Sequence, residues 1–196
     1  MRRFLLIGIS LILLLCAVPF GAFAQRTSAG KPFIGLAGFV SGYSIPSAGV
    51  GIEGGQYLLG SYWKAGVRAV DWNQKIAGLS DGNSPAFFDH ILWNLSGSWM
   101  YRVLGSYGRT VNLYIGAGAF LGLNHYEVFH KLPPELAGDF PKVEFIYGAE
   151  PEIDFEIFPF RRVAFVLGIQ SPLTLSSSLP TDLWHLSASL GIRFNL

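Results

Sequence analysis

The chain has 196 residues, 51% of them apolar but only 14% charged, against about 25% charged in an ordinary soluble domain. Fourteen bases against thirteen acids exclude a strongly basic surface built to neutralise phosphates. A single cysteine excludes a disulfide framework.

Arg2 and Arg3 precede an apolar run from Phe4 to Phe20, followed by Gly21, Ala22, Phe23 and Ala24. A basic start, an apolar middle and an Ala-x-Ala site make residues 1–24 a secretory signal peptide, with one β-barrel domain over 25–196 beginning at Gln25. Removing the leader takes away Arg2 and Arg3 but no acid, leaving twelve bases against thirteen acids and a net charge of −1. The dilution of charge therefore belongs to the mature chain. Cys16 leaves with the leader; the Leu13-Leu14-Leu15 run before it lacks the small residue that lipid attachment wants. Beyond Gln25 no stretch supplies the roughly 18 apolar residues of a helical span. An exported, weakly charged, aromatic-rich chain of this kind points to a membrane β-barrel.

Period-2 alternation places eight strands in chain order. The first two, Phe33 to Tyr43 and Ala48 to Glu53, are blurred by Gly35, Gly38, Gly42, Gly49 and Gly51. The third, Trp63 to Trp72, carries Trp63, Ala65, Val67 and Ala69 on one face. The fourth sets Ile91, Trp93, Leu95, Gly97, Trp99, Tyr101 and Val103 against His90, Asn94, Ser96, Ser98 and Arg102. The fifth runs from Val111 to Leu123 with apolar odd positions, the sixth from Val143 to Ile157, and the seventh from Val163 to Ile169. In the eighth, Trp184, Leu186, Ala188, Leu190, Ile192, Phe194 and Leu196 alternate with His185, Ser187, Ser189, Gly191, Arg193 and Asn195. A helix would not keep that parity.

The joints at 104–109 and 158–161 are short, whereas those at 73–85, 126–141 and 171–182 are long and rich in turn residues. Alternating short and long joints are the habit of outer-membrane barrels, and this order puts both termini in the periplasm. The ten residues from Trp184 to Phe194 span about 33 Å, or roughly 25 Å of height at the usual tilt, matching the apolar band of such barrels. The fold expected is all-β: an eight-stranded antiparallel transmembrane up-and-down barrel with a filled, ion-paired lumen.

Glu144, Glu150, Glu152, Asp154 and Glu156 share the polar face of the sixth strand and would repel one another unless paired. Lys64, Arg68, Arg102, Arg162 and Arg193 stand on the inward parity of other strands. Eight strands enclose a space that side chains fill, so these ions are expected to interlock as a structural plug instead of lining a pore. No cofactor or metal site is expected: His125 and His130 fall in or beside an outer loop without a third ligand at metal spacing. Two other readings compete. His185, Ser187 and a carboxylate such as Glu156 would form a nucleophile, base and orienter set, loosely resembling the eight-stranded lipid A deacylases, although Leu186, Ala188 and Ser189 do not reproduce their longer motif. A soluble, lipocalin-like ligand binder would turn the apolar face inward, but it should carry charge all around its outside.

Several segments carry a family resemblance. Gln25-Arg26, Leu113-Tyr114-Ile115-Gly116-Ala117-Gly118 running on to Gly122, Phe145-Ile146-Tyr147-Gly148, Glu156 before the turn to Arg162-Val163-Ala164-Phe165-Val166-Leu167, and the ending Gly191-Ile192-Arg193-Phe194-Asn195-Leu196 resemble the conjugal transfer protein TraO family of Bacteroidota conjugative transposons. The match extends from about residue 109 to the end; Thr27-Ser28-Ala29-Gly30-Lys31 departs from the family pattern. The resemblance implies an outer-membrane component of a conjugative DNA transfer apparatus, non-enzymatic, with other conjugation proteins as partners. Phe194 and Leu196 stand where such barrels present a terminal signal to the assembly machinery, outer-membrane lipid is the surrounding medium, and no direct nucleic-acid contact is expected.

Overall fold

In the computed structural model, residues 29–41, 47–81, 84–105, 110–130, 143–160, 162–176 and 186–196 are described; the leader over 1–24 lies outside them. The alternating segments form β1 (Pro32–Ser41), β2 (Ser47–Leu58), β3 (Ser61–Asp81), β4 (Ser84–Leu104), β5 (Val111–His130), β6 (Val143–Phe160), β7 (Val163–Gln170), β8 (Leu173–Ser176) and β9 (Ser187–Asn195). All pairings are antiparallel, and the pairing of β1 with both β2 and β9, together with that of β5 with β6, closes the sheet into a barrel. The two short segments β7 and β8 make a single stave. Both lie against β6, which pairs with β7 from Phe160 to Glu152 and with β8 from Ala149 to Tyr147. Pro172 has no N–H to give the ladder, and the Ser171 N–H bridges the gap by donating to the Pro151 carbonyl at 3.1 Å. The barrel therefore has the eight staves expected from the alternation.

The strands differ from the expected ones mainly at their ends. β2 continues five residues past Glu53 to Leu58 and meets β3 through a two-residue loop, where Gly60 takes φ +79°, a conformation that costs glycine little. The joint 73–85 is not a long loop but a ladder, paired as far as Asp81 and Ser84. Its period-2 signal fails at Asn73, Gln74 and Lys75, which are all polar, and a register shift follows between Lys75 and Ser80. β5 runs on to His130, pairing with β4, so His125 and His130 belong to a strand. The expected long joint 171–182 holds β8, and Trp184 and His185 lie outside the described residues.

Side-chain direction follows the alternation. Ile34, Leu36, Ile52, Trp63, Val67, Trp93, Leu95, Trp99, Leu121, Phe145, Ile153, Leu167, Leu190 and Phe194 all point outward and are exposed. One outward row, Ile52–Val67–Leu95–Leu121–Tyr147, crosses five neighbouring strands in direct register. The polar side chains of the same strands point into the barrel. A one-residue slip would exchange the faces wholesale, so the apolar exterior fixes the register.

Candidate functional site in the lumen

The inward side chains form three layers. At the end where the chain enters β1 and makes its short turns, Phe33, Tyr57, Tyr62, Met100, Tyr114, Phe158 and Ala164 pack together, with ring centroids 4.9 Å apart for Phe33–Tyr57 and 4.7 Å for Tyr62–Tyr114. Toward the opposite end Val70, Leu92, Phe120 and Ile146 form an aliphatic and aromatic cluster. Lys64, Arg68 and Arg193 with Glu53, Glu150, Glu152, Asp154 and Glu156 lie between these closures. Two strands show the order plainly: inward positions run Tyr62, Lys64, Arg68, Val70 on β3, and in the same direction Phe158, Glu156, Asp154, Glu152, Glu150, Ile146 on β6.

Arg193 on β9 is the hub. Its guanidinium donates to Asp154 at 2.8 Å and also to Glu156 and Glu53, while Phe33 and Tyr62 present their rings to it, each centroid 4.8 Å away. The planar fork serves three carboxylates at once, which an ammonium would do less well. Asp154 further accepts from the Tyr62 hydroxyl and from Lys64 Nζ at 2.9 Å. Lys64 also donates to Glu152 at 2.6 Å and lies 3.9 Å from Glu53. Glu152 takes further bonds from Ser98 and, at 3.5 Å, from Gln170. Arg68 holds Glu150 with two nitrogens, at 2.7 and 2.5 Å. Tyr57 donates to Glu156 Oε1 at 2.9 Å. The free space beside Glu53, Lys64, Arg68, Glu152 and Gln170 is about 20 Å³, enough for about one water molecule. The described lumen is a plug.

Seven of the nine expected lumen ions meet here: Lys64, Arg68, Glu150, Glu152, Asp154, Glu156 and Arg193, all buried. Arg102 shares the inward parity but is half-buried at the turn end, where its N–H donates to the Gly60 carbonyl. Arg162 is a correction: it is exposed, because β7 begins only at Val163 and Arg162 belongs to the turn before it. Glu53, Tyr57 and Tyr62 are members that the sequence reading missed. Glu53 and Tyr57 share the inward parity of β2, hidden by Gly51, Gly54 and Gly55; Tyr62 sits one position before the strand start taken from Trp63. Phe194 and Leu196 both point outward, 44% and 73% exposed.

The lumen also bears on the competing readings. Ser187 donates to Ser41 Oγ at 2.9 Å. Glu156 is in register with Val166, and Val166 with Gly191, four residues from Ser187, or about 13 Å along the strand. The structure does not bring Glu156 to Ser187, and His185 lies outside the described residues. The lipocalin-like arrangement is overturned: the ions are inside and the apolar face is outside. Among the described residues no group of three or more His, Cys, Asp or Glu is arranged to hold a metal ion.

Comparisons place this geometry among known proteins. Residues 90–196 match the family model described as conjugative transposon protein TraO. No curated protein matches the chain. Among solved structures, the outer membrane protein OprG from Pseudomonas aeruginosa is 13% identical with TM-score 0.59, covering 88% of this chain and 98% of its own. Neisserial surface protein A is 11% identical with TM-score 0.57, covering 86% and 98%. Ail, the attachment invasion locus protein of Yersinia pestis, in a complex with a heparin analogue, is 11% identical with TM-score 0.54, covering 86% and 100%. The shared feature is the fold, a closed eight-stranded barrel of the outer-membrane type.

Proposed function

The chain belongs to the TraO family of conjugative transposon proteins, and on that premise we propose that it is a non-enzymatic outer-membrane β-barrel component of a conjugative DNA transfer apparatus, acting as scaffold, anchor or surface contact. The observation that carries this reading is the division of the barrel wall: apolar side chains face outward on every stave, and the charged network is held inside. Such an exterior suits lipid, and a lumen filled by side chains gives DNA no passage. The contribution to transfer is therefore positional. The short-turn end, with both chain termini of the barrel, faces the periplasm, and residues 1–24 direct export. The ending Phe194 and Leu196 offers the barrel assembly machinery an outward apolar terminus, and other conjugation proteins dock outside the barrel wall.

The test is transfer frequency from a donor in which this gene alone is deleted. Transfer is expected to fall and to be restored by the wild-type chain, and restored equally by a His185→Ala or Ser187→Ala chain, since no chemistry is assigned to either residue. Undiminished transfer from the deletion donor would remove the conjugation role. Failure of only the His185→Ala and Ser187→Ala chains to complement would favour the enzyme.

A further inference from the structure

Charge is divided between the two ends of the barrel. The stretches of sequence that lead into, join or end strands at the turn end, 25–32, 56–61, 101–113, 157–163 and 194–196, hold six bases, Arg26, Lys31, Arg102, Arg109, Arg161 and Arg162, and no acidic side chain. At the loop end acids exceed bases, three to one in 71–91, four to two in 124–144 and one to none in 171–187. Arg26, Arg109 and Arg161 lie outside the described residues. Of the described bases, Arg162 is exposed in its turn, and Lys31 and Arg102 are half-buried.

The turn end is a preformed face and not a mouth. Backbone hydrogen bonds tie its strands in a ring: the Tyr57 N–H donates to the Lys31 carbonyl at 3.0 Å, Arg102 to Gly60 at 2.9 Å, Phe158 to Thr110 at 2.7 Å, Asn195 to Arg162 at 2.8 Å and Leu196 to Pro32 at 3.0 Å. Beneath the ring, the cluster that includes Phe33, Tyr57, Tyr62, Met100, Tyr114 and Phe158 closes the lumen. Apolar side chains stand out from this base: Leu59 is 82% exposed at the tip of the β2–β3 loop, Leu104 65% at the end of β4 and Phe160 60% at the end of β6. Exposed apolar groups rimmed by charged ones mark an interaction surface, and a face already held rigid costs little to order when a partner arrives.

We propose that the turn end is a docking face for an acidic segment of a periplasmic protein that also carries apolar side chains, its carboxylates meeting Lys31 and Arg162 and its apolar groups meeting Leu59, Leu104 and Phe160. The proposal rests on the outer-membrane reading above, which puts this end in the periplasm. Charge complementarity selects the occupant: a face with bases and no acidic side chain attracts acidic surfaces and repels basic ones. A second copy of this chain would set the same bases against one another. Lipid headgroups match less well, because they ring the outer wall. Among the described residues of this end no Lys or Arg stands on the outward parity of a strand: Arg102 has inward parity, Lys31 precedes β1 and Arg162 lies in a turn. The outward groups there are Trp63, Trp99 and Tyr101, the aromatic kind that sits at the membrane interface. Leu59 comes four residues before Trp63, at the loop tip past that belt.

The test is photo-crosslinking in donor cells, with the full chain carrying benzoylphenylalanine in place of Leu59. Irradiation is expected to give a protein adduct whose crosslinked stretch, read by mass spectrometry, is acidic and belongs to a periplasmic protein. The yield should fall about tenfold or more when Lys31→Glu and Arg162→Glu are introduced together, since like charges then oppose. It should hold in Asp71→Asn, which changes an exposed acid of the loop end. Should the double reversal keep the chain from the outer membrane, cells with the unreversed chain are irradiated in rising sodium chloride, which must lower the yield. The inference is overturned by the absence of an adduct, by an adduct to phospholipid alone or to a second copy of this chain, by a crosslinked stretch without acids, or by a yield indifferent to charge reversal or to salt. Gene deletion separates this inference from the reading it rests on. Transfer undiminished by deletion, with the adduct intact, removes the conjugation role and leaves the docking face; transfer that falls on deletion, with no charge-dependent adduct, removes the docking face alone.

Discussion

Replacing Arg193 with leucine is expected to destabilise the barrel by about 3–5 kcal/mol, the usual result of removing one partner from a buried ionic network. The change strands Asp154, Glu156 and Glu53, which all accept from this one guanidinium, and removes the cation that the Phe33 and Tyr62 rings face. The measurement is the urea midpoint of the folded band on unheated gels, with protein held in detergent. Arg193→Lys should fall between wild type and Arg193→Leu, since an ammonium keeps the charge but not the fork. Arg162→Leu is the control. That side chain is exposed in a turn, so its loss should stay within about 0.5 kcal/mol. Equal effects at positions 162 and 193 would contradict the layered lumen.

A charge placed on the outward row gives the second large effect. Leu121, 50% exposed, belongs to the row Ile52–Val67–Leu95–Leu121–Tyr147. If lipid covers this face, Leu121→Arg costs about 2–4 kcal/mol near the bilayer midplane and the same substitution about 0–1 kcal/mol near an interface. His125 provides the second position: it is exposed on the same outward parity, four residues along β5 toward the loop end. His125→Arg should therefore cost much less than Leu121→Arg in unfolding from lipid vesicles. Two equally small effects would mean that water, not hydrocarbon, meets the row.

The parts of the fold legible in the sequence are those where one face is uniformly apolar. Strands β4, β5, β6 and β9 announce themselves because Trp93–Leu95, Ile115–Leu121, Phe145–Ile153 and Leu190–Phe194 mark every second position, and the same parity puts Lys64, Arg68, Arg193 and the β6 carboxylates inside. Legibility fails where the alternation carries no contrast. Glycine has no side chain to mark a face, so Gly51, Gly54 and Gly55 conceal the run of β2 to Tyr57, and Glu53 and Tyr57 are lost with it. Beyond Trp72, pairing with β4 supplies strand structure that the residues of β3 do not signal by themselves, because backbone hydrogen bonds need no particular side chain. The misplacement of Arg162 has a third cause: a parity count knows nothing of where a ladder ends, and one residue of turn is enough to send a cation out to solvent.

The claim on which the rest depends is that the apolar exterior is held in the outer membrane, and fractionation followed by gel mobility tests it most directly. The mature protein should sediment with outer membranes, and its unheated band in detergent should run at a different position from the boiled one, because an intact barrel stays compact until heat opens it. Recovery in the soluble periplasmic fraction, with one mobility before and after boiling, would contradict the account.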